Sequence, residues 1–351
     1  MSKCPLCKGV KLQKIFEAKN AFVSVGDLAT QNYDALNGGG GGVYNPHSYC
    51  KGDLKLEVMQ CLDCSYVYNA LFDREKMHKA YSGKSYITPR AISNTMSSHI
   101  AKLSTKIKSY SLGVGLEIAP GSCDLVQALA GDFDFFYTID PSYTPQELLK
   151  NERNICHIQS LFDYEKISNA LKHKIDFIIF RHLIEHIDTP KDFLKDVVRL
   201  VKDGGMIYIE TPNAKEIFES LRFYEIRHEH CGYWDLVALN NVLADLGCEL
   251  VESVEFYDGQ WIGLFFKKTG QRTQKRPMII YDENLTLKLN AQIEKLHQLL
   301  EPYENIAIYG AGGHANSLLS YLDEKTCLKI KMAIDKDERR IGTYLQFQYF
   351  N

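Results

Sequence analysis

The chain lacks any apolar run approaching the roughly 20 residues that a membrane-spanning helix requires, so no membrane partner is expected. It also lacks an excess of positive charge. Its 41 lysines and arginines stand against 44 aspartates and glutamates, a net charge of −3, which argues against a nucleic-acid polymer as partner. The N-terminus is polar and enters a cysteine motif at once, so no signal peptide is read there and a cytoplasmic location is expected. A dinucleotide fingerprint is missing from the first strand–turn, Leu116-Glu117-Ile118-Ala119-Pro120-Gly121-Ser122. One glycine stands where Gly-x-Gly-x-x-Gly would be needed, and a pyrophosphate would sit poorly there. What remains is an ordinary globular composition, 45% hydrophobic and 24% charged, in 351 residues, long enough for two or three domains.

Cysteine is present in quantity, and its arrangement is informative. Six of the ten cysteines are scattered singly, while Cys4-Pro-Leu-Cys7 and Cys61-Leu-Asp-Cys64 form two Cys-x-x-Cys pairs. In a reducing compartment such pairs read as a metal site. Four thiolates satisfy a tetrahedral zinc and leave no open position, so Cys4, Cys7, Cys61 and Cys64 are expected to hold a structural zinc ion. Cys50 and His47 are weaker substitutes for one ligand. The insert between the pairs contains Gly38 to Gly42, five glycines in a row, and reads as a mobile loop.

The pattern along the chain suggests five segments. Residues 1–70 form a zinc-binding domain, and 71–110 a helical, polar connector with one tyrosine-rich turn, Tyr81 to Tyr86. From 111 to 270, apolar strand candidates at 114–119, 135–140, 175–180 and 205–210 alternate with helical stretches, which implies a parallel, doubly wound α/β sheet. Strand candidates at 249–257 and 260–267 flank Asp258-Gly259, a hairpin signal. Residues 271–304 contain an amphipathic linker helix over 283–301. Residues 305–351 open a second Rossmann-like βα unit at Tyr309-Gly310-Ala311-Gly312-Gly313-His314, which reads as incomplete after barely two strands.

Candidate chemistry gathers at the carboxyl ends of the strands, where open α/β sheets bind their ligands. Glu117 closes the first strand, and Gly121 lets the chain turn into a helix. Asp140, about twenty residues on, is placed to accept hydrogen bonds from ribose hydroxyls. A later strand ends in Arg181-His182-Leu-Ile-Glu185-His186. Beyond it, Arg227-His228-Glu229-His230-Cys231-Gly232-Tyr233 brings three ionisable groups together with a tyrosine, as in a general-base cluster working near neutral pH. A second metal site is the alternative, but the consecutive His-Glu-His lacks the helical i, i+4 face of a zinc protease. In a strand, His228 and His230 would share a face.

In these motifs the chain resembles the S-adenosylmethionine-dependent sugar C-methyltransferases, which methylate nucleotide-linked 4-keto-6-deoxysugars. The resemblance rests on the two cysteine pairs, Glu117-Ile118-Ala119, Asp140-Pro141-Ser142, Glu185-His186-Ile187, His228-Glu229-His230 with Tyr233, and Gly310 to Tyr321. It implies a class I methyltransferase core between a zinc domain and a C-terminal Rossmann-like domain. It further implies S-adenosylmethionine held by Glu117, Ala119, Gly121, Asp140, Pro141, Phe162 and Arg181, and a nucleotide-sugar substrate acted on by a monomer or homodimer. His230 is then the expected base, with His186, Glu229 and His228 beside it and Tyr81, Tyr86 and Tyr233 as further candidates. The family has a tyrosine where this chain has Arg227, a fixed cation that cannot serve as a base. Sugar O-methylation and a catalytically lapsed binding protein are the competing expectations.

Overall fold

The computed structural model describes residues 3–21, 54–82, 93–142, 144–149, 153–338, 344–345 and 348–349. The glycine run, Cys50, His47 and Tyr86 fall outside them, as does the side chain of Tyr81. At the centre lies a seven-stranded sheet. In chain order its strands are β4 (Val114–Ile118), β5 (Phe135–Asp140), β6 (Ile155–Gln159), β7 (Ile175–Arg181), β8 (Val201–Pro212), β10 (Cys248–Phe256) and β11 (Trp261–Lys268). The spatial order is β10-β11-β8-β7-β4-β5-β6.

The five strands from β4 to β8 are parallel, whereas β11 runs antiparallel to β8 and to β10. The sheet is therefore mixed: the parallel part runs from β4 to β8, and the hairpin read at Asp258-Gly259 joins it through β11 as an antiparallel extension. The hairpin around Asp258-Gly259, where Tyr257, Asp258 and Gly259 all have positive φ, returns β11 along β10 and reverses its direction at the sheet edge. Strand β6 was missed in the sequence because Ile155–Gln159 lies near an edge and is only partly buried.

Strand β7 explains how the core forms. Phe177 and Ile179 pack on one face of the sheet and Ile178 and Phe180 on the other, all four fully buried. A strand covered by helices on both faces reads as a continuous apolar run. Burial of each such side chain is worth about 1.5–3 kcal/mol. The helix Pro190–Leu200 begins with a proline suited to its first turn and lays Phe193, Leu194, Val197 and Val198 against one face. The helix Asn94–Lys108, capped by the Ser93 hydroxyl accepting from Met96 N at 3.1 Å, turns His99, Ile100, Leu103 and Ile107 inward.

The N-terminal region builds a second, antiparallel sheet from β1 (Leu12–Ala21), β2 (Leu54–Cys61) and β3 (Val67–Asn69). Its fourth strand is β9 (Gly232–Tyr233), contributed by the segment just after His230. A Cβ on Gly232 would run into the Tyr66 hydroxyl, so only glycine permits this approach. The helix Leu285–Leu300 packs on β1 and buries Leu285 and Leu289. Beyond it, β12 (Ile306–Tyr309) and β13 (Ile330–Ile334) form a parallel pair around the helix Gly313–Leu319. Among the described residues, no helix is long and apolar enough to cross a membrane.

Candidate functional site

Five parallel strands end on one edge of the central sheet, and the turn after β4 is tightly wound there. Ala119, Gly121 and Cys123 have φ of 54°, 56° and 60°, and Ala119 N donates to Ile139 O at 2.8 Å. Two non-glycine residues in the left-handed region within five positions mark a strained turn of the kind kept at ligand sites. Asp140 ends β5 beside it and accepts from Ser142 N at 2.8 Å. Pro141 is exposed and Phe162 packs edge-on against Phe193, with ring centroids 5.2 Å apart.

Glu117 is the informative member of this group. Its side chain is buried, Oε1 lies 3.4 Å from Arg181 Nε, and Oε2 has no hydrogen-bond partner among the described residues. Burial raises its pKa, with Arg181 opposing the shift. A buried acceptor so placed fits a cationic ligand such as the ammonium of a bound amino acid.

Behind the strand ends lies a charged network centred on Glu210, a residue the motif reading did not single out. Glu210 sits across from Arg181 in the β7–β8 register and is fully buried. Its Oε1 lies 3.1 Å from His99 Nε2, 3.2 Å from His182 Nε2 and 3.9 Å from Arg181, and its Oε2 accepts from the Tyr208 hydroxyl at 2.6 Å. Burial alone would raise the Glu210 pKa, but hydrogen bonds from His182 and His99 bring it well below the carboxylate range. His182 has a φ of 49°, packs against Trp261 with centroids 4.3 Å apart, and has Nδ1 3.7 Å from Glu185. Burial disfavours its charge, yet Glu185 and Glu210 together raise its pKa to about 9. The available sequence signal was an acidic residue closing an apolar strand, Ile207-Tyr208-Ile209-Glu210.

Residues 226–231 carry the second cluster. They form a loop, not a strand, and His228 and His230 point apart. His228 Nε2 accepts from Asp73 N at 3.0 Å and its ring stacks on Phe72. His230 instead meets His186 edge-on with centroids 5.0 Å apart. His186 Nδ1 lies 2.8 Å from the Glu229 carbonyl. A carbonyl only accepts, so the proton is on Nδ1 and the lone pair on Nε2. His230 Nε2 accepts from Arg227 Nε at 3.2 Å, which places its lone pair on Nε2 too. Burial lowers the pKa of both rings, and the Arg227 cation lowers them further. Both are therefore neutral near pH 7. Glu185 accepts from Thr211 Oγ1 at 3.0 Å and lies close enough to His186 and His230 to form a three-ligand group with them. Tyr233 donates its hydroxyl to the Arg227 carbonyl at 3.2 Å and so fastens the loop.

The four paired cysteines converge at the outer end of the N-terminal sheet. Cys4 and Cys64 sulfurs are 3.7 Å apart and Cys7 and Cys61 sulfurs 3.5 Å. A tetrahedron with arms of about 2.3 Å has edges of about 3.8 Å, so the spacing suits one zinc ion. Both turns share a backbone form. Lys8 N donates to Cys4 O at 2.9 Å and Ser65 N to Cys61 O at 2.8 Å, with Lys8 and Ser65 at φ of 66° and 63°. The Cys64 thiol beside Cys4 brings the Cys4 pKa down to about 6, so a thiolate is available near neutral pH. The cluster can hold a metal ion.

Residues 90–253 match the family model of a methyltransferase domain, from ahead of β4 into β10. The central segment is thus similar to methyltransferase domains. No curated protein matches the chain. Among solved structures, an S-adenosylmethionine-dependent methyltransferase of Clostridium acetobutylicum is similar at 14% identity and a TM-score of 0.39, covering 51% of this chain and 93% of that one. The N-methyltransferase NodS of Bradyrhizobium japonicum, in complex with S-adenosyl-L-homocysteine, is similar at 14% identity and 0.40, covering 55% and 97%. An O-methyltransferase family protein of Burkholderia thailandensis is similar at 11% and 0.40, covering 50% and 57%.

Proposed function

We propose that this chain methylates a carbon of a nucleotide-linked keto sugar, with a neutral histidine removing the proton alpha to the ketone. S-adenosylmethionine, when bound, supplies a methyl group on a sulfonium and so an electrophile needing only alignment. Glu117, Asp140 and the turn Ala119–Gly121 are the residues that would hold it, with Arg181 fixing the Glu117 carboxylate. The observation that carries the reading is His230. It is fully buried, kept neutral by burial and by Arg227, and its lone pair is on Nε2. A base in that state needs no prior deprotonation at neutral pH. His186 holds a matching lone pair on Nε2 and is the second acceptor available to the alpha proton. Cys4, Cys7, Cys61 and Cys64 hold a structural zinc, which fixes the sheet whose last strand anchors the histidine loop.

Two measurements test this. Calorimetry with S-adenosylmethionine should show saturable binding that Asp140→Ala weakens about tenfold or more. Absence of heat at millimolar donor would remove the methyltransferase reading. In deuterium oxide without donor, a 4-keto nucleotide sugar should exchange its alpha proton with the wild type and not with His230→Ala. Donor turnover on sugars without any such exchange would transfer the assignment to O-methylation, where the base takes a hydroxyl proton and no ketone is involved.

A further inference from the structure

Glu185, His186 and His230 each offer a ligand atom, and the three atoms lie within 4.8 Å of one another. Two imidazoles and one carboxylate are a donor set that divalent transition metals take readily. Sequence spacing concealed it, because the His228-Glu229-His230 triplet supplies one ligand only. His228 turns its Nε2 to Asp73 N, at 3.0 Å, and the other two ligands come from the short helical turn Ile184–His186 after β7. The surroundings hold the three groups as metal ligands are held. His186 Nδ1 donates to the Glu229 carbonyl at 2.8 Å, which leaves its lone pair on Nε2. Glu185 Oε2 accepts from Thr211 Oγ1 at 3.0 Å. The turn itself is pinned from the β9 side. Trp234 Nε1 donates to Ile184 O at 3.2 Å, and Cys231 Sγ to Glu185 O at 3.3 Å. Glu185 and His230 are buried, whereas His186 is half-buried and gives an ion a way in.

Arg227 stands on His230 Nε2, at 3.2 Å, and has a second place to go. Glu225 is 1% exposed, and its Oε2 has no hydrogen-bond partner among the described residues, yet lies 4.0 Å from Arg227 Nη2. A buried acceptor left unpaired is costly, and a guanidinium moved onto it relieves that cost. We propose that Glu185, His186 and His230 bind one divalent transition-metal ion of the zinc, cobalt or nickel kind, and that the ion displaces Arg227 from His230 Nε2 toward Glu225. Bonds of about 2.1 Å put neighbouring ligand atoms about 3.4 Å apart, so a shift of about 1 Å closes the set. His230 sits in a loop and can supply it. The His182 ring, 3.7 Å from Glu185, opposes the charge of the ion and keeps the affinity moderate. This site stands apart from the catalytic reading. Where His230 is the base, the bound ion takes its lone pair and suspends proton removal.

The test is a titration of the full chain with cobalt(II), without substrate or donor, after one equivalent of zinc has been supplied for the paired cysteines. A second ion should bind saturably and show the visible absorption of nitrogen and oxygen coordination, without an intense sulfur-to-metal charge-transfer band. His186→Ala should weaken that binding about tenfold or more. Arg227→Gln should tighten it about tenfold, because a competing cation is gone. Tightening is not what a damaged fold gives. His186 is half-buried, so its variant keeps the fold and the test stands even if Arg227→Gln does not fold. His173→Ala, at an exposed histidine, should change nothing, and magnesium should not compete, since it prefers oxygen ligands. Absence of a second ion would overturn the proposal. So would a thiolate spectrum, which would place the cobalt at the cysteines, or an affinity unmoved by His186→Ala and Arg227→Gln. Competition by magnesium would overturn it too, as the mark of a general cation site. No turnover enters these readings, so their failure leaves methyl transfer intact, and the failure of methyl transfer leaves the metal site.

Discussion

His182 and His230 sit at the same edge of the molecule, and their environments push them to opposite states. His182 lies between two buried carboxylates, Glu185 and Glu210, and is held protonated, with a pKa of about 9. His230 is more deeply buried, faces Arg227 and His186, and is held neutral. Desolvation disfavours charge at both, so burial does not separate them. The sign of the nearest fixed charge does. One site becomes a cationic strut beneath the candidate donor site, the other a candidate base.

The largest expected effect is on the neutral side. His230→Ala should lower methyl transfer by about 10²–10⁴-fold while donor affinity stays at the wild-type value, as checked by single-turnover kinetics and calorimetry. An equal loss in donor binding would mean that His230 supports the fold. On the charged side, Glu210→Ala leaves Arg181, His182 and His99 around an empty position. Denaturant unfolding should show a loss of about 3–5 kcal/mol. In that variant His182 keeps only Glu185 beside it and should titrate below its wild-type value, as NMR would show. A value still near 9 would break the comparison.

The two histidines also predict a stability profile. The His182 value lies above the free value of 6.5, so its ion pairing stabilises the fold fully below about pH 6.5 and is lost as pH rises through 9. With its partial exposure discounted, the loss should be on the order of 1–2 kcal/mol. His186 and His230 lie below their free value, so below about pH 6.5 the unfolded chain takes up more protons and stability falls there too. His182→Gln should flatten the alkaline limb alone. The smallest effect is at Arg227. Arg227→Gln removes a nearby cation and should raise the His186 pKa, measurable by NMR, while leaving His182 unchanged.

Much of the central region was readable from residues. Strands β4, β5, β7 and β8 announce themselves as apolar runs, because a buried parallel strand tolerates little else. Asp258-Gly259 signals the reversal of β11, but its antiparallel place beside β8 is hidden, since periodicity reports burial and not which strand lies alongside. Glu210 was hidden for a related reason. One carboxylate at a strand end looks like any other until the register places it opposite Arg181 and within reach of His99, more than one hundred residues away in sequence.

The sequence by itself determined the segment that matches a methyltransferase-domain model, the two cysteine turns and the types of side chain available at the strand ends. These depend on local pattern and spacing, which a linear chain carries openly. Only the tertiary structure decided that β9 ties the histidine loop to the N-terminal sheet, that His228 and His230 part company, and that one histidine is charged and another neutral. Each of those outcomes depends on which distant charges and backbone groups come within a few ångströms, and electrostatic energies at that range are set by folding, not by sequence neighbours.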